Sequence, residues 1–150
     1  MMCSIVRGKV FSAPWLEENF GDAHSKVKGS KIFDIRNGYP DTGNGRYMEK
    51  KSYAEWFAFN NIIRCHQNYL EFLPLTLISQ LVAGLFRPQV AAAIALSAIV
   101  GRFLYLKGYG LGNNPNKRLL GVITSELAVF ANIIIAGVGL YPMVKTQLFG

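Results

Sequence analysis

Asn61, Arg64, Asn68 and Glu71, separated by 3, 4 and 3 positions, lead into a long apolar stretch. That spacing lays them along one stripe of a helix. Further along, Arg102, Tyr105 and Tyr109 form a second stripe, and Glu126 lies early in a third apolar run, soon after Lys117 and Arg118. A charge inside a membrane helix is costly unless it is paired or faces a wet cavity, so each of these groups is a candidate for function. Together they offer guanidiniums for carboxylates, a carboxylate and amides for an ammonium, and phenols for a hydroxyl or a sulfur. A second reading stands beside this one. Arg64–Glu71 and Arg102–Glu126 could neutralise one another as glue between helices, with the tyrosines as interfacial anchors.

The elements that carry these residues follow from composition. Residues 1–64 hold ten Lys/Arg and seven Asp/Glu, whereas residues 65–150 hold six and two. An average of 51% apolar residues therefore hides a polar first part and a very apolar second part, and the apolar part excludes disorder. The polar text from Ser12 to Lys51 contains Asn37-Gly38, Tyr39-Pro40-Asp41 and Thr42-Gly43-Asn44-Gly45, which predicts loops. From Ser52 the pattern changes. The aromatics of Tyr53–Phe59 suit a membrane boundary, and apolar helices are expected at about 53–86, 90–109 and 119–141. Each approaches the ~20 apolar residues that cross a bilayer, and Arg87-Pro88 breaks the first from the second. The sequence thus predicts an all-α, multi-pass integral membrane protein, an antiparallel helix bundle over 52–150 with a loop-rich segment over 1–51. Basic residues crowd the side that carries the polar segment and the 107–118 loop, which the positive-inside rule places in the cytosol.

The net charge of +7 suits a membrane surface or a nucleic acid. No nucleic-acid-binding module is present, so no nucleic-acid partner is expected. Cys3 and Cys65 are not expected to pair. His24 and His66 are too few for a zinc site, and no metal is expected. Cys65-His66 reads as two faces of one helix. Residues 1–25 contain no apolar run of the roughly 7–15 residues that a secretory signal needs.

The segment Arg64-Cys65-His66-Gln67-Asn68-Tyr69-Leu70-Glu71-Phe72-Leu73-Pro74 resembles the R-x-x-x-N-x-x-E-x-x-P signature of the MAPEG family, membrane proteins of eicosanoid and glutathione metabolism. Its form is most similar to the type-3 microsomal glutathione transferases. Gly101–Tyr109 resembles the family's G-R-x-x-Y-x-x-G-Y motif, and Lys117-Arg118 the basic pair that opens its final helix. The resemblance implies a homotrimer of four-helix subunits in the endoplasmic reticulum, with glutathione as co-substrate held between neighbours. It implies glutathione binding by Arg64, His66, Asn68, Glu71, Tyr105 and Tyr109, and thiolate stabilisation by Arg118 as the catalytic group. Arg7, Lys9 and Arg102 are further candidates. Ile5–Phe11 resembles the basic end of the family's first helix, whose apolar body has no counterpart here, and Phe72 stands where several relatives carry tyrosine. The activity implied is conjugation of glutathione to lipophilic electrophiles or reduction of lipid hydroperoxides. Leukotriene-type synthesis, a non-catalytic lipid-binding or scaffold role, and a truncated and inactive product are the alternatives.

Overall fold

A computed structural model describes residues 2–33 and 41–149. Among these residues all regular structure is helical. The chain divides into two compact units, Met1–Arg64 and Cys65–Gly150. The division falls inside a long helix, whereas composition shifts near Ser52.

In the first unit, helices α1 (Met2–Val10), α2 (Ala13–Lys28) and α3 (Arg46–Glu49) precede the start of α4 (Tyr53–Phe86). The loops expected from Ser12 onward are replaced over Ala13–Lys28 by a helix of 16 residues. Pro14 presets φ in its first turn, Lys26 and Lys28 complement the dipole at its end, and Gly29 closes it at φ 72°. Helices of this length depend mainly on packing an apolar face. Here Leu16 is fully buried, and Trp15 and Phe20 pack on the same core as Phe11, Met48, Phe59 and Ile63. The expected turns at Asn37-Gly38 and Tyr39-Pro40 lie outside the described residues. Asp41 does build a turn. Its buried carboxylate accepts from the backbone N–H groups of Gly43 (2.7 Å), Gly45 (3.1 Å) and Tyr47 (2.8 Å). Gly43 adopts φ 105°, a conformation that favours glycine.

Burial, and then the nearby Asp41 carboxylate, push the Tyr47 phenol above its ordinary value. The unfolded chain then ionises first. The stability contributed by the neutral phenol is complete below about pH 10 and is lost as pH rises toward the folded value. Alkaline titration should therefore lower the stability of this unit, read as an earlier thermal or denaturant midpoint as pH rises above about 10. Tyr47→Phe should remove that part of the pH dependence, and an unaltered alkaline profile would count against it.

In α4 the Ser52-Tyr53-Ala54-Glu55 sequence forms a capping box. The Glu55 carboxylate accepts from the Ser52 N–H at 3.0 Å, and the Glu55 N–H donates to Ser52 Oγ at 3.3 Å. Pro74 lies within the helix. Arg87 leaves helical geometry at φ −142°, and Pro88 opens α5 (Pro88–Tyr105). A π-helical turn, Leu106–Leu111, and a 3₁₀ turn, Pro115–Arg118, lead into α6 (Leu119–Phe149). The second apolar helix is thus regular only to Tyr105, and the last continues past the expected 141. Three stretches, Tyr53–Phe86, Pro88–Leu111 and Pro115–Leu148, are long and apolar enough to cross a membrane.

Within the second unit the helices are joined at depth by polar side chains. Asn132 of α6 is almost completely buried and donates to Gln80 Oε1 at 2.7 Å, and Gln80 Nε2 donates to the Ala91 carbonyl at 2.8 Å. One chain of bonds therefore links α6, α4 and α5. Asn132→Leu would leave Gln80 Oε1 without its donor in an apolar interior. It should cost roughly 0.6–1.7 kcal/mol, the range for interhelical bonds in membranes. Reversible unfolding in mixed detergent micelles measures this, and unchanged stability would contradict a structural role for the bond.

Candidate functional site

The second unit holds a polar cavity of about 650 Å³ whose lining includes Asn68, Tyr105, Asn116, Arg118, Val122 and Glu126. Three helices and the turn before α6 contribute. Their up-down order brings the middle of α4, the end of α5 and the start of α6 together. The volume falls within the usual ~300–1,000 Å³ of small-molecule sites.

Close backbone approach positions these groups. At Gly121 an added Cβ would overlap the Tyr105 amide nitrogen, and at Gly101 one would sit 2.7 Å from the Ser125 amide nitrogen. Only glycine at both positions lets α5 and α6 cross this closely, and the crossing fixes Tyr105 opposite the start of α6. Gly108 does the same one turn further on. A Cβ there would overlap the Lys117 carbonyl, so the π-helical turn lies directly on the segment that presents Arg118. The tight loop is closed by the Asn114 side chain, which accepts from the Asn116 N–H at 3.0 Å.

Arg118 is exposed, with its guanidinium carbon 5.3 Å from the centre of the Tyr109 ring. Such a contact favours the cation over the ring face. Tyr105 and Tyr109 are buried and meet edge to face at 5.7 Å. Cys65 packs against both rings, and Arg118 lies within electrostatic reach of the Tyr105 phenol and the Cys65 thiol.

Arg102 is half-buried. It donates to Asn68 Oδ1 at 2.7 Å and lies over the Phe72 ring at 5.1 Å. Glu126 acts on it only at longer electrostatic range. For Arg102 the glue is therefore a hydrogen bond to the Asn68 side-chain amide across helices, and Glu126 remains on the cavity wall.

Of the residues singled out from the sequence, Asn68, Tyr105 and Arg118 line this cavity, Tyr109 backs it, and Arg102 is bonded to its wall. His66 and Glu71 are exposed and do not line it. Arg7, Lys9 and Arg64 belong to the first unit, where Arg7 is half-buried and Lys9 and Arg64 are exposed. Sequence reasoning passed over Asn116 and Val122 in the lining and Cys65 behind the tyrosines. Asn116 read only as loop, and no periodic signal marks a residue in a 3₁₀ turn. Both cysteines are free and buried.

Three long apolar helices, with charged and phenolic groups gathered at one end of their bundle, define an integral membrane protein with a polar small-molecule cavity. The model of the MAPEG family matches residues 25–138, and the chain belongs to that family.

Proposed function

We propose that the protein is a membrane glutathione transferase with glutathione peroxidase activity, acting in the endoplasmic reticulum as a homotrimer. The observation that carries this reading is the convergence of Arg118, Tyr105, Asn68 and Glu126 on one cavity, with Arg118 held against Tyr109. Glutathione carries two carboxylates, an ammonium and a thiol. Within one subunit Glu126 matches the ammonium, Asn68 can pair with a peptide group, and Arg118 is the cation for the sulfur; partners for the two carboxylates come in this reading from a neighbouring copy. Arg64, His66 and Glu71 are exposed, as residues that complete a site from a neighbouring copy must be within one subunit.

A free thiol has a pKa near ~8.5 and is mostly protonated at neutral pH, and an adjacent cation favours the thiolate. In this reading the thiol proton leaves to water, and Arg118 holds the sulfur anion with Tyr105 beside it. The thiolate attacks an electrophilic carbon. A C–S bond forms as the leaving group departs, or as an epoxide C–O bond opens and its oxygen takes a proton from water. With a hydroperoxide, sulfur attacks the distal oxygen and the O–O bond breaks, giving the sulfenic acid of glutathione and an alkoxide that takes a proton from water to become the alcohol. A second glutathione condenses with that acid to give the disulfide and water.

The test is turnover by detergent-purified protein of an aryl halide and of a lipid hydroperoxide, each with glutathione. Conjugate and alcohol are expected. A protein that binds glutathione but turns over neither would favour a non-catalytic role.

A further inference from the structure

Helix α2 ends in a tip that the core of the first unit does not use. Leu16 and Phe20 pack inward and His24 stacks on Phe33, but every residue from 26 to 32 is exposed. Gly29 turns the chain at φ 72°, and Ser30 Oγ accepts from the Ile32 N–H at 3.1 Å. Lys31 then returns along the helix, paired with Asp22 and with its stem beside Gly21. The tip is therefore built by its own bonds. Val27 and Ile32 stand on it at 79% and 73% exposure, the two most exposed aliphatic side chains described in this unit. Lys26, Lys28 and Lys31 frame them.

Exposed apolar side chains scattered singly need no account. Two on one tip, among three lysines and the single carboxylate of Asp22, do. We infer that this tip docks on the anionic lipid surface of the bilayer that the chain spans, with its lysines at the headgroups and with Val27 and Ile32 at the boundary between headgroups and acyl chains. Nothing in this reading requires glutathione. Three observations support the occupant. The charge is complementary, because basic residues crowd this side of the chain and the leaflet on the positive side is the anionic one. The residue types also match a surface that is anionic outside and apolar beneath, with lysine stems lying over apolar groups while their ammonium heads stay wet. The third is reach. Lys51, two positions before Tyr53, lies 3.9 Å from the centre of the Trp15 ring at the start of α2, and Tyr53 and Trp56 are exposed aromatics where the chain enters the membrane. From Trp15 to Val27 the helix rises about 18 Å at ~1.5 Å per residue, so the tip lies within one short helix of that entry point. The same tip on a second copy carries the same positive charge and is repelled.

The test places an environment-sensitive fluorophore, NBD, at Val27→Cys and separately at Ile32→Cys in the full chain, held in lipid nanodiscs. Cys3 and Cys65 are buried, and wild type carried through the labelling corrects for any reaction with them. All the altered residues are exposed, so the core of the unit is untouched. Discs contain phosphatidylcholine alone or with phosphatidylserine. With phosphatidylserine both probes should emit further to the blue, and lipids brominated high on the acyl chain should quench them. Each lysine near an anionic leaflet favours association by about fivefold, so the pair Lys26→Gln and Lys28→Gln should lower the inserted-to-free ratio by at least about tenfold. Water-like emission from both probes in anionic discs would overturn the proposal. A blue shift that brominated lipids do not quench would also overturn it, as when a second copy or another part of the chain covers the tip. Insertion of equal extent into both kinds of disc, unaltered by the lysine changes, would overturn it too, since the lysines would then recognise nothing.

Discussion

Arg118→Ala is expected to bind glutathione and to leave it as the thiol. Arg118 is the exposed guanidinium at the polar cavity, and its contact with Tyr109 fixes its position. Removing a preorganised group that stabilises developing or full negative charge typically costs about 10²–10³-fold in turnover. Binding should suffer far less, because Asn68, Glu126 and Tyr105 still line the cavity. Kinetics should therefore show kcat falling by about two orders of magnitude with a smaller change in KM. The thiolate absorbance expected of wild type should be absent at neutral pH and return at alkaline pH, where the thiol ionises unaided. Arg118→Lys should recover only part of the activity, since an ammonium lacks the planar face that stacks on Tyr109. Wild-type turnover in Arg118→Ala would remove Arg118 from the chemistry.

Gly121→Ala should be the most damaging single-methyl change in the second unit. Its Cβ would collide with the backbone of Tyr105 and with the Gly101 carbonyl. A backbone cannot rotate aside as a side chain can, so the α5–α6 crossing must open. Overpacking typically costs about 1–3 kcal/mol, and occasionally more. Because Tyr105 lies at the contact itself, its ring would be displaced from the cavity. Lower unfolding stability in detergent and at least about tenfold weaker glutathione binding are expected together. Gly137→Ala is the matched control, for nothing lies within 4 Å of the position its Cβ would take. If both variants behave alike, the close crossing does not position the site.

The three apolar helices and the break at Arg87-Pro88 were legible because length, apolar composition and proline are strong local signals. Helix α2 was not. Its composition is polar, and only Leu16, Trp15 and Phe20, packed on Phe11 and Tyr47, show what makes it a helix. That packing is long-range information. The end of α5 was also hidden, because the π-helical turn at Leu106–Leu111 depends on Gly108 lying against Lys117 rather than on a local preference. For the candidate site, spacing grouped Asn68 with Glu71 on one stripe, yet a stripe does not reveal which neighbour it faces. Asn68 turns to Arg102 inside the bundle, whereas Glu71 is exposed. Likewise, opposite charge suggested an Arg102–Glu126 pair, whereas the helix register gives Arg102 an amide partner.

The most direct test of the glutathione reading is a titration of detergent-purified wild-type protein with glutathione at neutral pH, following heat release and thiolate absorbance together. Saturable binding accompanied by a thiolate signal is predicted, with the signal displaced by an S-alkyl glutathione that cannot ionise. Absence of saturable glutathione binding by the intact, folded protein would contradict it.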